Sequence, residues 1–555
     1  MLVSLDAIDK RFGDKVLYSD LGFRVEKAEK VGVIGRNGVG KSTVFNLLTG
    51  ADTEYDGTIQ FARNAIVVAT RQEHHGVEHL SPVDYILNEL PSYKKLKKVI
   101  DDFAELQNPS MNAMNAYSDA LEQFSSLGYY EVEDSVLNQL ATYQIDEAKA
   151  RGELGKLSGG QKRFVELVKI AHSQADLALI DEPTNHMDYV AKDAFIAWLK
   201  SIGTMSALII THDRDVLAEV DRIIEIKDGQ AYEFKGNYES YLKQNSNSTV
   251  NQMKSYEVAQ ASIVNLKKQI AYARRMKPSW SGTADQKNPF IVMENRLTKQ
   301  MNELIANNPK PSLWIDRESL EQISDKVTDN YHRYKAKNIR IGTKSSELAS
   351  SGTPVVAFEK LGLGFTQPLF SNITAQLRDG EHMRLHGRNG AGKTTLVRAI
   401  LAAAAGKPQP TPIFNGAITI RPKTTIGIYE QEIGEAYFEM PLGDAIEKLH
   451  LDRDIKINQQ KIMQLMGDYL FNPVTDARVP ISQLSGGQKA RFQLISMLAG
   501  DPQLLILDEP TNHLDLPSIE ELEDALKRYS GAIIFVSHDS YFVNKFDCQT
   551  VVIGA

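Results

Sequence analysis

Two acidic pairs, Asp181-Glu182 and Asp508-Glu509, each follow a short apolar run and carry groups suited to metal binding and acid–base chemistry. The aspartate of each pair can bind Mg²⁺ through water, and the glutamate can polarise an attacking water molecule. We therefore predict that Asp181 and Asp508 bind metal and that Glu182 and Glu509 are catalytic.

A glycine-rich loop with the pattern G-x-x-x-x-G-K-[ST] also occurs twice, each time after a predicted strand and before a predicted helix. Its glycines let backbone N–H groups surround a phosphate, and the helix N-terminus adds a favourable dipole. The lysine would neutralise the β- and γ-phosphates, and the hydroxyl after it would ligate Mg²⁺. A chance glycine turn would not recur in this order. The predicted nucleotide-binding residues of the first loop are Gly35, Arg36, Asn37, Gly38, Val39, Gly40, Lys41, Ser42 and Thr43. Those of the second loop are Gly387, Arg388, Asn389, Gly390, Ala391, Gly392, Lys393, Thr394 and Thr395, with Ser42 and Thr394 as the metal ligands.

Two further polar residues recur around these motifs. His212 and His538 each follow the next apolar run, and we predict that they hold the γ-phosphate and orient the attacking water. A lone histidine after a strand is more often structural, but the recurrence favours a catalytic role. Gln72 and Gln431 are placed to contact Mg²⁺ and water, an assignment that depends on their occurring as a pair.

One aromatic residue precedes each glycine-rich loop at nearly the same distance. Phe12 lies 23 residues before Gly35, and Phe365 lies 22 residues before Gly387. We predict that each ring stacks on an adenine; the alternative is that it packs in the core.

The elements that must position these residues are short apolar strands that alternate with helical patterns. Such runs indicate a buried, mainly parallel sheet, so the predicted fold class is α/β with two P-loop ATPase domains in tandem. The run at 31–34 precedes the first glycine-rich loop, those at 177–180 and 504–507 precede the acidic pairs, and those at 207–210 and 533–536 precede the histidines. The interval from Gln72 to Ser158 is about 32 residues longer than that from Gln431 to Ser485, which predicts an inserted helical arm at about 90–125.

A different kind of segment joins the two copies. Residues 241–350 contain 18 Lys and Arg against 10 Asp and Glu, a net charge of +8; since the whole chain carries −8, the rest carries −16. Two heptad-like seams predict an antiparallel helical hairpin with an irregular tip at about 278–290. The predicted domains are 1–236, 237–350 and 351–555. At the tip, Trp280 could stack on an exposed base or form a hydrophobic knot with Phe290.

The bulk composition fits a globular protein of about three domains. The chain has 555 residues, of which 42% are hydrophobic and 24% charged, and no apolar run reaches the roughly 18 residues of a membrane span. The first residues lack the pattern of a signal peptide. One cysteine, Cys548, excludes a disulfide framework, cysteine-rich zinc sites and iron–sulfur clusters. We expect a cytoplasmic protein.

A five-residue signature, Leu-Ser-Gly-Gly-Gln, occurs at 157–161 and again at 484–488. It is the specific element by which the chain resembles the ATP-binding cassette (ABC) superfamily, and the resemblance covers 1–236 and 351–555. In that family this signature binds the γ-phosphate of an ATP held by the opposite cassette. The resemblance implies two competent sites that hydrolyse ATP with Mg²⁺, with Lys41 facing Ser485 and Lys393 facing Ser158. It assigns nucleotide contacts to Ser158, Gly159, Gly160, Gln161, Ser485, Gly486, Gly487 and Gln488, and places Asp188 and Asp515 at the cassette interface.

Fused cassettes, a basic helical linker, an inserted arm and Glu-Pro-Thr-Asn-His in both copies resemble the ABC-F family, whose members act on ribosomes. The resemblance implies a monomer with paired cassettes that binds the tRNA exit site of a 70S-type ribosome when ATP closes it. The linker would reach the peptidyl-transferase region and contact 23S rRNA and P-site tRNA, and the arm would touch the L1 stalk region. Two roles stay open, a translation factor or an antibiotic-resistance ribosomal protection protein. The tip of about 13 residues mildly favours the second.

The remaining alternative is a soluble ATPase subunit of a separate membrane transporter, which has no clear use for a basic hairpin. A recycling factor of the ABC-E type would carry an N-terminal cysteine cluster, and an excision-repair cassette protein would carry zinc modules. A chromosome-organising ATPase would need hundreds of coiled-coil residues. No role is assigned to residues 308–340.

Overall fold

The computed structural model of the chain contains two compact units. One unit comprises Met1–Tyr238 together with Arg340–Ala555, and the other comprises Glu239–Ile339. The residues described are 1–13, 15–71, 74–106, 110–185, 187–281, 288–308, 310, 313–316, 319–320, 331, 335, 338–341, 353–430 and 433–554. The tip residues 282–287 and most of 308–340 lie outside them. We call residues 1–236 cassette 1 and residues 351–555 cassette 2.

Cassette 1 is built on a six-stranded, mainly parallel sheet. The strands of cassette 1, which include three outside this sheet, are β1 (Val3–Phe12), β2 (Lys15–Val25), β3 (Lys30–Gly35), β4 (Asp56–Phe61), β5 (Val67–Ala69), β6 (Leu177–Asp181), β7 (Ser206–Ile210), β8 (Arg222–Lys227) and β9 (Gln230–Lys235). The large sheet has the order β5-β6-β7-β3-β8-β9, and only β9 is antiparallel to its neighbour. Every residue of β6 and β7 is buried, and apolar residues of both strands share a core with β1, β2 and the helix Lys41–Thr49. This burial explains their continuous apolar sequence.

The helices of cassette 1 connect these strands and form the inserted arm. They are Lys41–Thr49, Pro82–Glu89, Tyr93–Ala104, Met111–Ser126, Val132–Thr142, Glu147–Ala150, Gly159–His172, Tyr189–Ser201 and Arg214–Leu217. Tyr93–Ala104 and Met111–Ser126 occupy the stretch that is longer in cassette 1. The rings of Phe103 and Tyr117 stack between them with centroids 4.1 Å apart.

Cassette 2 repeats the architecture. Its strands are β10 (Val356–Gly364), β11 (Pro368–Leu377), β12 (His382–His386), β13 (Ile413–Ile420), β14 (Ile426–Tyr429), β15 (Leu504–Asp508), β16 (Ala532–Val536) and β17 (Cys548–Val552). Its helices are Lys393–Ala404, Glu435–Phe438, Leu442–Leu451, Gln459–Asp468, Gly486–Leu498, Leu516–Lys527 and Ser540–Asn544. The parallel sheet has the order β14-β15-β16-β12-β17, which confirms the predicted α/β class.

Each cassette also has a three-stranded antiparallel sheet that the sequence pattern did not predict, β2-β1-β4 and β11-β10-β13. Register shifts interrupt the central strand of both, between Leu5 and Ile8 and between Phe358 and Leu361. Ala7 and Lys360 lie at these shifts with φ of 51° and 47°, so the alternation of apolar and polar residues is lost there.

The second unit consists mainly of two long helices. Tyr238–Met276 has 39 residues, which corresponds to about 58 Å at 1.5 Å per residue, and Pro289–Asn307 follows the tip. Arg274 Nε donates to Glu294 Oε1 over 2.7 Å, so the two helices run side by side near the tip. Ile263, Ile270 and Leu297 are buried along the predicted seams. Across the part of the chain that the structure describes, no helix has both the length and the apolar character to cross a membrane.

Candidate nucleotide sites at the cassette interface

The glycine-rich loops each connect a core strand to a helix, β3 to Lys41–Thr49 and β12 to Lys393–Ala404. The residues just before these helices, Gly40 and Gly392, have φ of 103° and 105°. A Cβ at Gly40 would lie 2.5 Å from the Tyr18 hydroxyl, so this position also lacks space for a side chain. Neither helix N-terminus is capped by a side chain in the described structure. The first N–H groups are therefore available to an anion.

The loop lysines are buried under their own loops. Lys41 Nζ donates to the Gly35 carbonyl over 2.8 Å, and Lys393 Nζ donates to the Gly387 carbonyl over 2.8 Å. Burial lowers the pKa of both ammonium groups, although the neighbouring carboxylates oppose that change. A buried cation beneath a ring of N–H groups suits a phosphate, which would replace the weak carbonyl partners.

The predicted metal-binding aspartates end strands β6 and β15 at the loop side of each sheet. Thr394 Oγ1 lies 3.4 Å from Asp508 Oδ2, which places a hydroxyl and a carboxylate oxygen together. Oxygen donors of this kind fit Mg²⁺, and Ser42 begins the corresponding helix in cassette 1. No cluster of three His, Cys, Asp or Glu that could hold a metal exists among the described residues. Gln72 and Gln431 lie outside the described residues.

The predicted catalytic glutamates have an uncommon backbone conformation; Glu509 is buried and the Glu182 side chain is 20% exposed. Glu182 and Glu509 have φ of 44° and 50°, the left-handed region that residues with a Cβ rarely occupy. Their N–H groups donate to Ile210 and Val536 on the neighbouring strands. Burial, and secondly the preceding aspartate, raise the pKa of both carboxyls to about 8. At neutral pH each carboxyl is therefore mostly protonated in the nucleotide-free protein, and its ionised form is a stronger base than an ordinary glutamate.

The two histidines face these glutamates. His538 Nε2 lies 3.3 Å from Glu509 Oε1, and His212 Nε2 lies 3.7 Å from Glu182 Oε1. Burial, and secondly the nearby loop lysine, lower the pKa of both imidazoles to about 3, so they are neutral. Within the described structure, neither ring nitrogen of either histidine has a hydrogen-bond partner. Since an unsatisfied buried polar atom is unfavourable, these nitrogens suit a polar ligand such as a phosphate oxygen.

Each site is completed by the other cassette. Asn37 N donates to Asp515 Oδ2 over 3.2 Å, and Asn389 N donates to Asp188 Oδ2 over 2.9 Å. A Cβ on Gly487 would lie 2.1 Å from Asn37 Nδ2, so this signature glycine lies against the first loop. The structure therefore brings each predicted loop together with the predicted aspartate of the opposite cassette.

The signature serines instead contact their own helices. Ser158 accepts a hydrogen bond from Gln161 N, and Ser485 accepts one from Gln488 N, each in a reciprocal capping box. Among the described residues no hydrogen bond joins either serine to the opposite loop, so the pairings Lys41–Ser485 and Lys393–Ser158 stay predictions. Gly159 and Gly486 are exposed beside these serines.

The predicted adenine-stacking rings are both exposed. Phe12 is 53% exposed at the end of β1, and Phe365 is 62% exposed directly after β10. Lys10 Nζ lies 5.0 Å from the centroid of the Phe12 ring. Neither ring is buried in the core, so each has exposed surface that a flat ligand could contact.

The sequence reasoning missed three interface residues of cassette 1. The Tyr189 ring lies 4.5 Å from His386, Lys192 bonds to the backbone of His538, and Arg214 pairs with carboxylates of cassette 2. A comparison of the two copies could have pointed to Lys192, because the corresponding residue at the offset of 327 is Ile519.

Replacing Glu182 and Glu509 by glutamine should stabilise the nucleotide-free protein. A carboxyl whose pKa is raised by folding, here from 4.5 to about 8, is protonated in the folded state and ionised in the unfolded state between those values. Its stabilising effect is complete below about pH 4.5 and is lost as the pH rises through 8. Since one pKa unit corresponds to about 1.4 kcal/mol, we expect roughly 2–4 kcal/mol per site at pH 8.5 and little at pH 5. Thermal melting at both pH values measures this, and an equal change at both would contradict the assignment.

Comparison with known proteins agrees with this geometry. The model of a protein family described as ABC transporter matches residues 18–185 and 370–512, and another with the same description matches 224–287. The ribosome protection protein VmlR of Bacillus subtilis (strain 168) is 27% identical, over 100% of this chain and 87% of its own length. ABC transporter F family member 2 of Arabidopsis thaliana is 28% identical, over 98% of this chain and 75% of its own.

The solved structure of RNase-L Inhibitor has a TM-score of 0.53 to this chain at 16% identity, over 99% of this chain and 87% of the other, which shows the same fold. The residues matched by the first family model include both glycine-rich loops, the helices that follow them and both acidic pairs. The chain therefore belongs to the ABC transporter family, and the comparisons confirm the resemblance to its ABC-F members that was predicted from the sequence.

Proposed function

We propose that this protein hydrolyses ATP at two composite sites and that bound ATP holds its cassettes together on the ribosome. The contacts of Asn37 with Asp515 and of Asn389 with Asp188 carry this proposal, because each loop needs the other cassette to complete its site. A nucleotide bound there would contact both cassettes and stabilise the closed arrangement, and its hydrolysis would release them.

The roles of the site residues follow from their chemistry. The loop N–H groups with Lys41 and Lys393 bind the phosphates, and Phe12 and Phe365 stack on adenine. Oxygens of residues such as Thr394 and Asp508 would hold Mg²⁺, which when bound would neutralise phosphate charge.

The glutamates and histidines would act on water. Glu182 and Glu509, which burial keeps weakly acidic, accept a proton from the attacking water. His212 and His538 are neutral, so each can donate one N–H to a γ-phosphate oxygen without adding charge. Gln72 and Gln431 complete the proposed set beside Mg²⁺.

Ribosome binding is supported by the second unit and by a relative whose name is ribosome protection protein. The hairpin near the tip has an exposed basic surface, and lysine and arginine bind RNA phosphates. Its exposed cations include Lys267, Lys268, Arg275, Arg296 and Lys299. We propose that the linker enters the tRNA exit site of a cytoplasmic 70S-type ribosome and approaches the peptidyl-transferase region, where it meets 23S rRNA and P-site tRNA. The arm would contact the L1 stalk region.

Two ribosomal roles follow from this placement, a translation factor and a resistance protein that displaces a bound drug. Trp280 is half-buried in the described part of the tip, a state compatible with stacking on a base and with a knot against Phe290. Tolerance of a sensitive host to drugs of the peptidyl-transferase region distinguishes the two roles.

The function is tested by trapping the ATP-bound state. With ATP, the Glu182→Gln, Glu509→Gln double variant should pellet with ribosomes through a sucrose cushion at least fivefold more than without ATP. The reason is that it binds ATP, cannot hydrolyse it and stays closed. Recovery should fall steeply as salt rises, because phosphate contacts are salt-dependent.

Two matched proteins serve as controls. The Lys41→Ala, Lys393→Ala double variant cannot bind phosphate and should stay in the supernatant. The Lys267→Glu, Lys268→Glu variant should bind ATP normally but pellet less. If the trapped protein enriches with membranes and not with ribosomes, the alternative of a transporter ATPase subunit is correct.

A further inference from the structure

A single buried lysine joins the neighbourhoods of the two catalytic histidines. Lys192 lies on helix Tyr189–Ser201 of cassette 1 and is only 6% exposed. Its Nζ lies 2.9 Å from Asp213 Oδ1, the carboxylate of the residue after His212. The same Nζ donates over 3.1 Å to the backbone carbonyl of His538 in cassette 2.

A third partner fixes the ammonium group from the side. Lys192 also donates to Asp215, whose other carboxylate oxygen accepts a hydrogen bond from the Ser540 hydroxyl of cassette 2. The residues around it enclose a cavity of only about 40 Å³, so the side chain has little space for another position. Its three N–H donors are matched by three oxygens, and no donor is left for other partners.

The connection exists on one side of the interface only. At the offset that relates the two cassettes, Lys192 corresponds to Ile519, which lines the same cavity. An isoleucine has no donor, so it cannot connect Asp539 to the His212 carbonyl in the way that Lys192 connects Asp213 to the His538 carbonyl. Among the described residues, the contact of Lys192 with the His538 carbonyl therefore has no counterpart at Ile519. A second charged contact between the cassettes, Arg214 with Asp539, is also made by a cation of cassette 1.

We propose that Lys192 is a positioning residue that couples the two ATP sites, so that occupancy of one site changes turnover at the other. This inference rests on the proposed ATPase function. A phosphate that engages His212 shifts the adjacent Asp213, and the ammonium group transfers that shift to the His538 carbonyl. The partners are buried and their polar groups need one another, so the three groups move together. Because the three donors of Lys192 are used by protein oxygens, we assign it no contact with a nucleotide.

The test compares turnover at the second site with the first site loaded or empty. In full-length protein, Glu182→Gln keeps ATP in the first site, and Lys41→Ala keeps that site empty; in both, Glu509 supplies the remaining turnover. The coupling ratio is kcat/KM in the first background divided by kcat/KM in the second. With Lys192 present, we expect this ratio to differ from one by more than fivefold. In Lys192→Met the ratio should move at least fivefold closer to one. Lys192→Arg, which keeps a buried cation, should restore most of it.

Lys200→Met is the matched control, because Lys200 lies on the same helix with its side chain 55% exposed and pairs with Glu219 at 2.9 Å. Its coupling ratio should stay within twofold of the unsubstituted protein. A merely structural role of Lys192 would lower turnover equally in both backgrounds and leave the ratio unchanged, which would overturn the proposal. A ratio of one in the presence of Lys192 would overturn it as well. If the protein without substitutions shows no ATP turnover, the proposed function fails instead.

Discussion

The Glu182→Gln, Glu509→Gln double variant should lower kcat for ATP roughly 10²–10⁴-fold, the usual contribution of a positioned general base. Glutamine has almost the same shape as glutamate but cannot accept a proton at neutral pH. ATP affinity should change by less than about threefold, because the predicted phosphate contacts belong to the loops and not to these side chains. Steady-state hydrolysis and binding of a fluorescent ATP analogue measure the two quantities separately.

The two single variants identify which site carries the turnover. Each removes the base from one site and keeps the cross-cassette contacts that complete the other, so a residual rate in one variant reports the untouched site. Glu147→Gln is the control, because Glu147 is a surface residue paired with Arg151 and 70% exposed. If the double variant hydrolysed ATP at more than a tenth of the normal rate, another group would be the base. His212 and His538 would be the next candidates.

The sequence predicted those parts of the sites that depend on local order along the chain. An apolar run followed by Asp181 or Asp508 describes a buried strand that ends where its carboxylate is needed, and both strands end at that residue. The same holds for the glycine-rich loops, since a strand, five or six loop residues and a helix leave few arrangements of the backbone.

Other features were not predictable because they depend on contacts between distant residues. Lys192 meets His538 across 346 positions of the chain, and no local pattern marks it. The left-handed backbone of Glu182 and Glu509 follows from N–H bonds to the neighbouring strand, not from any preference of glutamate. The antiparallel sheets were missed for a local reason, because their strands carry bulges that break the alternating pattern.

The sequence repeats imply two equivalent sites, but the interface between them is not symmetric. Cassette 1 provides two buried cations that bond across the interface, Lys192 and Arg214, whereas the corresponding residues of cassette 2 are Ile519 and Ser540. Cassette 2 provides buried carboxylates, Glu523 and Asp539. A cassette 1 paired with another cassette 1 would lack the Glu523 carboxylate, because Ile196 occupies that position. The charges therefore favour pairing of unlike cassettes within one chain.

Arg214→Ala should destabilise the unit that contains both cassettes by about 3–5 kcal/mol, the usual effect of removing one partner from a buried ion pair. The guanidinium Nη2 of Arg214 donates to Glu523 and, over 3.0 Å, to Asp539, and all three side chains are less than a tenth exposed. Without the arginine two carboxylates remain buried without their cation. We expect the melting temperature to fall by several degrees, since about 1 kcal/mol lowers it by roughly 2–4 °C in domains of 150–250 residues and by less in a larger unit.

The pH dependence separates this mechanism from a simple loss of packing. Burial raises the pKa of Glu523 although Arg214 opposes that effect, so without Arg214 the carboxyl should protonate more readily. A protonated carboxyl is neutral and no longer needs a cation, and the defect of Arg214→Ala should therefore shrink at pH 5 and be largest at pH 8. Arg378→Ala, which breaks an exposed pair with Glu381 at 3.7 Å, should cost at most about 1 kcal/mol at either pH. A loss of stability that is the same at both pH values would mean that Arg214 acts by filling space, because packing does not titrate.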